Sequence, residues 1–295
     1  MHQKLSMRAK RLFFMIAVMI LSALTGMAQK KYALLVGISN YHVLDPNNQW
    51  NDIHGVNDID LISLELRKQK FHLVELRDIA ATKVKIVKEL QNLNTATKKG
   101  DIIYLHFSMH GQPFDDALSA VKNDEAWDES LVPIDASFEY NEKYKGENHL
   151  VDDELNKYIG AIRHKVGTSG MVYVVVDACH AGESSRGDDP GRGTKRGFTA
   201  QKGKRFQPGD ERPTYFTVST EPGQSPVVYL EACKGKQVNT EMKFNGQYYG
   251  PMSYFIGQVI RENPMGKDTG WTEKVKNLMN KMGPQNQNMV IERSK

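Results

Sequence analysis

Two apolar stretches of the chain end in residues that could do chemistry. IIYLHFSMHG, Ile102 to Gly111, closes on a histidine and a glycine; VYVVVDACHAG, Val172 to Gly182, sets Cys179 and His180 just after an aspartate. A cysteine with a histidine in reach is the minimum apparatus for thiol nucleophilic attack, because the imidazole can take or balance the thiol proton. As neighbouring strands of one parallel sheet, the two stretches would bring His110 and Cys179 together at their carboxyl ends, where open α/β sheets bind ligands. Gly111 and Gly182 leave room for a substrate backbone, and the backbone N–H groups of Gly111 and Cys179 can point at a developing oxyanion.

The surrounding pattern supplies such a sheet. Apolar runs predict strands at Lys31–Gly37, His72–Asp78, Ile102–Ser108, Met171–Val176 and Tyr215–Glu221, with Val227–Glu231 a short strand or a helical turn and Gln287–Ile291 a last strand. Helical spacing falls between them. It covers Val56–Gln69 on Ile59, Ile62 and Leu66, and Thr82–Leu93 on Val84, Val87 and Leu90 with Thr82 as a cap. It recurs at Val151–Ile162, Met252–Arg261 and Trp271–Met282. Strands alternating with helices imply an α/β fold, a mostly parallel central sheet with helices on both faces. Residues 184–212 have no periodicity and are dense in Gly, Arg, Lys and Asp, which predicts an exposed or disordered, flexible loop.

The first 28 residues have a basic start, an apolar core and a small-residue exit at Ala28, the pattern of a secretory signal peptide. We therefore expect an exported protein, periplasmic or secreted, with residues 29–295 as one domain and no stable membrane insertion once the signal is removed. The leader's Lys4, Arg8, Lys10 and Arg11 account for the whole formal net charge of +4. The remainder is neutral and offers no basis for a nucleic-acid partner. The two cysteines, Cys179 and Cys233, allow at most one disulfide. RGDDPGRG lacks the lysine-hydroxyl pair of a phosphate loop and follows no strand directly.

SMHG and DACHAG resemble the histidine and cysteine motifs of the caspase-like cysteine peptidases, nearest to the metacaspase and bacterial orthocaspase branch. YALLVGISNY, WNDI, LVPID and VDDEL extend the likeness from Tyr32 to about Ile260. The resemblance implies a caspase-like fold and a peptidase acting on peptides or proteins, with Cys179 as nucleophile and His110, not His180, as general acid/base. It also implies a primary pocket for arginine or lysine made by Asp52 and Asp177, with Ser108 on its wall; a carboxylate pair suits a buried cation. A calcium site would draw on Asp135, Asp152, Asp153, Asp188 and Asp189, although Asp152 and Asp153 equally suit a helix start. Members of this branch are often monomers.

A peptidase that prefers basic residues could cut itself in the 184–212 loop at Lys195, Arg196, Lys204 or Arg205, and one of these side chains could block the pocket until then. The plainer reading is a solvated loop kept soluble by its charges. Against the enzyme stands a catalytically silent caspase-like domain that binds peptides or partners. Both motif residues are present, which favours the enzyme.

Overall fold

The computed structural model describes residues 29–120, 126–179, 191–207, 218, 220–235 and 237–294. The chain divides into two compact units, Met1–Lys30 and Lys31–Lys295, and every element below belongs to the second.

A six-stranded sheet forms the centre. In spatial order it runs β11 (Val290–Arg293), β8 (Val227–Glu231), β7 (Met171–Asp177), β3 (Ile102–Ser108), β1 (Lys31–Gly37) and β2 (His72–Arg77). The pairings from β8 to β2 are parallel, and β11 closes the edge antiparallel to β8. β3 and β7 are buried along their whole length, as continuous apolar runs require of central parallel strands.

The period-two alternation sends successive side chains into two cores. Leu34, Val36, Leu105, Phe107, Val174 and Val176 pack against α2 (Lys83–Ala96) and α3 (Asp152–Val166), through residues such as Leu90 and Ile159. Ala33, Leu35, Tyr104, Tyr173 and Val175 pack against α1 (Gly55–Lys68), α4 (Pro251–Glu262) and α5 (Gly270–Met282), through residues such as Ile62, Ile256 and Val275. The architecture is the expected α/β one, with helices on both faces.

Three local expectations change. On α2 the buried stripe is Ile86, Leu90 and Leu93, while Val84 is 72% exposed. The parallel strand beside β7 is Val227–Glu231; of the expected Tyr215–Glu221 strand, residues 215–217 and 219 lie outside the described residues. A small antiparallel sheet, β4 (His110–Asp115), β5 (Trp127–Val132) and β6 (Leu150–Val151), and a hairpin, β9 (Met242–Phe244) with β10 (Gln247–Tyr249), had no clear sequence signal.

The 184–212 segment differs most. Within its described part, residues 191–194, Phe198 and Phe206 are buried, while residues 200–203, Arg205 and Gln207 are exposed. Phe198 pairs along β4 by donating its N–H to the Pro113 carbonyl, 2.8 Å, and accepting that of Asp115, 2.9 Å. Its ring stacks on Phe114. Among the described residues no helix is long and apolar enough to cross a membrane.

Candidate active site

Register alone brings the two motif ends together. Ser108 of β3 sits opposite Asp177 of β7, so His110 and Cys179 each follow by two residues on adjacent strands. Between them runs a third piece of backbone. Gly193 bridges both Gly111 and Cys179 in parallel sense. The Arg192 carbonyl accepts the Cys179 N–H at 2.9 Å and the Gly111 N–H at 3.3 Å, while the Arg192 N–H reaches the Asn239 carbonyl at 2.9 Å. A Cβ on Gly193 would fall 1.8 Å from the Cys179 carbonyl oxygen, so only glycine fits this approach.

His110 is fully buried, with its ring against Trp50 and Tyr41. The Tyr41 hydroxyl accepts the His110 N–H at 2.9 Å and donates to the Val132 carbonyl, also at 2.9 Å, which fixes the residue's backbone. Nε2 lies 2.8 Å from the Asn51 carbonyl. A carbonyl can only accept, so Nε2 carries the proton and Nδ1 presents the lone pair. Nδ1 is buried without a hydrogen-bond partner. Burial pushes the imidazole down to about 4, opposed by the Asn51 carbonyl and the Glu241 charge. The neutral ring is therefore the resting form at pH 7.

The Cys179 thiol donates to the Gln237 carbonyl at 3.0 Å. The second cysteine, Cys233, aims its thiol at the same oxygen from 3.4 Å. Both are free thiols. The hydrogen bond with Cys179, together with burial, pushes the Cys233 thiol well above its ordinary value.

Below the carbonyl contact, the Arg192 side chain enters a closed acidic chamber and is 0% exposed. Nη1 lies 2.6 Å from Asp58 Oδ2, 2.7 Å from Ser108 Oγ and 3.1 Å from Asp177 Oδ1; Nη2 lies 2.8 Å and Nε 3.1 Å from Glu241 Oε1. Ser108 in turn donates to Asp58 at 2.6 Å. Behind Asp177, Asn239 Nδ2 donates at 2.7 Å, and the Ser253 hydroxyl and N–H both reach Oδ2. Ser253 is linked through His106 to the Tyr104 hydroxyl. Glu241 also takes the backbone N–H and ring of His54.

The chamber's electrostatics follow from this crowding. Burial pushes Asp58 up to about 7 despite Arg192, with Asp177 adding to the rise. Burial is the largest single effect at Asp177 and Glu241 and pushes both up, but Arg192 combined with Asn239 and Ser253 at Asp177, and with His54 at Glu241, outweighs it and holds both below their usual range. Their charges in turn raise the guanidinium above its usual value, against the effect of burial. A buried cation with planar, multi-dentate charge-assisted bonds is what an arginine-recognising pocket must provide.

Asp52 does not join Asp177 here. Its side chain is 54% exposed and holds the Tyr41 N–H, 2.8 Å, and His42 Nδ1, 3.0 Å. Asp58, six residues further along the chain, takes the inner position from α1, and Glu241 supplies a third carboxylate. Asp58 had a legible signal: it lies on the same stripe as Ile62, where a charge is out of place. Nothing in NTEMKFNG marks Glu241. Met109, whose size suggested a narrowed cleft, points into the core.

The calcium expectation finds no cluster: among the described residues no three His, Cys, Asp or Glu side chains come together as a metal site. Asp135 accepts the Lys83 N–H at the start of α2, 3.0 Å, and Asp152 and Asp153 occupy the first turn of α3. Asp188, Asp189 and His180 lie outside the described residues. Of the basic loop residues, Arg196 pairs with Glu139 at 2.6 Å and Lys204 with Asp115 at 2.6 Å, while Arg205 is exposed and Lys195 half-buried. None of the four enters the chamber; Arg192 does.

A parallel α/β sheet whose adjacent strand ends carry histidine and cysteine, with two N–H groups converging between them, defines the class. Residues 30–293 match the caspase domain of peptidase family C14, and the chain belongs to that family. It is 28% identical over 162 residues to Metacaspase-1 of Plasmodium falciparum, a match covering 52% of this chain and 24% of that one. It is 31% identical over 173 residues to Metacaspase-1B of Aspergillus fumigatus, covering 55% and 37%. The matched stretch is thus well under half of each relative. The crystal structure of protein GSU0716 from Geobacter sulfurreducens shares the fold, with a TM-score of 0.60 at 18% identity over 90% of this chain and 93% of that one.

Proposed function

We propose that the protein is a cysteine endopeptidase that cuts after arginine or lysine, with Cys179 as nucleophile and His110 as general acid/base. The observation that carries this reading is the seating of Arg192: its guanidinium is held by three carboxylates while its carbonyl accepts the N–H groups of Cys179 and Gly111. A substrate arginine placed the same way would have its scissile carbonyl polarised beside the thiol.

The chemistry then follows from the atoms available. The thiol leaves its bond to the Gln237 carbonyl and gives its proton to His110 Nδ1, whose lone pair has no other partner. Sulfur attacks the carbonyl carbon, and the oxyanion gathers the Cys179 and Gly111 N–H groups. The C–N bond breaks as the imidazolium returns the proton to the leaving amine. Water, losing a proton to the same nitrogen, hydrolyses the thioester and restores the thiol. Asn51 keeps Nε2 protonated throughout, and no third carboxylate is needed.

The test is turnover of fluorogenic peptides ending in Arg, Lys or Asp by the purified chain and by Cys179→Ala, each with calcium and with chelator. Activity after Arg or Lys that disappears in the alanine variant is expected. Activity only after Asp would overturn the pocket. Silence from folded protein whose Arg192 segment has been cut would favour a binding domain instead. The chelator lanes decide whether calcium has a role.

A further inference from the structure

We propose that Gln287 is a positioning residue for the acidic chamber: its side-chain amide fixes which end of the Asn239 amide faces Asp177, and so how firmly the chamber holds a guanidinium. The kinetic half of this inference rests on the peptidase reading above, to which it adds a specificity-determining residue from the far end of the chain.

Gln287 belongs to a run of amides, Gln285 to Asn288, on the loop that enters β11. Gln285, Asn286 and Asn288 are exposed, whereas Gln287 turns inward and is 3% exposed. A buried primary amide has two N–H donors and two acceptor lone pairs, each costly to leave unpaired. Gln287 pairs them all. Nε2 donates to the Ala232 carbonyl at 3.1 Å and to Asn239 Oδ1 at 2.8 Å. Oε1 accepts the Thr240 N–H at 3.1 Å and the Thr240 hydroxyl at 3.3 Å.

These partners leave the amide one orientation. The Thr240 N–H can only donate and the Ala232 carbonyl can only accept, so Oε1 must face the first and Nε2 the second. Nε2 then offers its other hydrogen to Asn239, which must answer with Oδ1. That turns Asn239 Nδ2 toward Asp177, where it donates to Oδ1 at 2.7 Å. The same Asp177 oxygen lies 3.1 Å from Arg192 Nη1. Asn239 is itself fully buried, and its backbone carbonyl accepts the Arg192 N–H at 2.9 Å. A flipped Asn239 amide would set an oxygen against the carboxylate and remove a bond that helps to keep it ionised.

The relay is held from rigid parts. Ala232 continues β8 and donates its N–H to the carbonyl of Val176, the residue before Asp177, at 3.0 Å. On the other side, the Gln287 N–H closes a turn on the Pro284 carbonyl at 3.1 Å, and the Asn288 N–H binds Gln237 Oε1 at 2.9 Å. Both backbone contacts survive a change of the Gln287 side chain. With its four bonds used, the amide has none left for Cys179 or His110. Its influence should therefore fall on holding the cation and not on the chemical step.

The experiment compares the full chain with Gln287→Met, which keeps the length of the side chain without its hydrogen bonds, with Asn239→Leu, and with the double variant. One readout is kcat and KM for a fluorogenic Arg peptide. The other is hydrogen exchange followed by mass spectrometry, with Cys179→Ala added to each chain. Gln287→Met is expected to raise KM about tenfold, the worth of one charge-assisted hydrogen bond, with kcat unchanged. Combined with Asn239→Leu it should raise KM no further, because both act through one contact. Exchange at the Arg192 N–H should quicken while β3 and β7 stay protected. Gln287→Glu, assayed above neutral pH where it can only accept, should raise KM in the same way and covers a methionine variant that does not fold. A KM rise that adds in full to that of Asn239→Leu would overturn the relay. So would exchange that quickens equally in β3, β7 and Arg192, the mark of a merely fold-stabilising residue. An Arg peptide left uncut by the wild type would sink the peptidase reading alone; unchanged exchange at Arg192 in Gln287→Met would still overturn this inference by itself.

Discussion

The thiols of Cys179 and Cys233 converge on one acceptor, the Gln237 carbonyl, at 3.0 and 3.4 Å. The two side chains pack against each other, and neither is committed to a disulfide. A thiol-specific oxidant such as diamide is therefore expected to join them, each losing a proton and the oxidant taking both electrons. Peptide turnover should fall to background and return with dithiothreitol. In Cys233→Ser the reversible loss should disappear. A wild type that retains activity after diamide, with both thiols still titratable, would show that the pair cannot close.

The three chamber carboxylates are not equivalent, and Asn substitutions should separate them. Asp177 and Glu241 are held ionised by Arg192, whereas Asp58 is pushed up to about 7. An amide at position 58 thus resembles a form already populated at neutral pH. Asp177→Asn removes a full buried charge and should lower kcat/KM for Arg peptides by about 3 kcal/mol, roughly a hundredfold. Asp58→Asn should cost about tenfold or less, which corresponds to ~1.4 kcal/mol. Asp52→Asn, at the surface, should leave it unchanged. Equal losses for positions 52 and 177 would restore the pair read from the motifs.

Acid should unfold the protein through its histidines. His106 and His110 are pushed down to about 4 and His149 to about 3, each chiefly by burial. Their folded values lie below the unfolded value near 6.5, so the unfolded chain binds protons first and stability falls as pH drops from about 6.5 toward 4. The lowered Asp177 and Glu241 act in the same sense further down. Asp58, raised above its unfolded value, opposes them between about 7 and 3.8, and Asp135, also raised by burial, opposes them too. Three histidines against two carboxyl groups leaves a net loss. His149 is the cleanest probe, held neutral by burial and the Lys83 charge, with Nε2 on Gln112 Oε1 at 2.8 Å and Nδ1 on the Tyr144 hydroxyl at 2.9 Å. In His149→Gln the melting temperature should depend less steeply on pH by one proton, about 1.4 kcal/mol per pH unit. An unchanged slope would remove His149 from the account.

Most of the fold was legible because buried parallel strands are written as unbroken apolar runs. IIYLHFS and MVYVVVD gave their elements to within a residue, and the two motif ends were legible as strand termini. The small β4–β5–β6 sheet was not, since HGQPFD and WDESLV have no alternation; both sides of each strand are covered by loops and aromatics. Arg192 was hidden for another reason. It is one of many cations in a segment without periodicity, and only the tertiary placement of Asp58, Glu241 and the oxyanion donors distinguishes it from Lys195 or Arg196. WNDI carries the resemblance that points to Asp52, while the carboxylate that reaches the chamber is Asp58, in the first turn of the helix that follows.

Gly250 offers a last, purely steric test of that chamber. Its φ of −64° and ψ of 125° suit any L-residue, so alanine adds no backbone strain. Yet a Cβ there would lie 2.3 Å from Asp177 Oδ2 and 2.7 Å from Arg192 Nη1. The Asp177 carboxylate cannot step back without losing its bonds to Asn239 and Ser253. Gly250→Ala should therefore weaken turnover of Arg peptides at least about tenfold, mostly through KM, a loss of ~1.4 kcal/mol in binding. Circular dichroism should still report the native secondary structure, because the sheet and both cores are untouched. An unchanged KM would mean that the guanidinium binds without contacting Asp177, and the pocket would then have to be built from Asp58 and Glu241 alone.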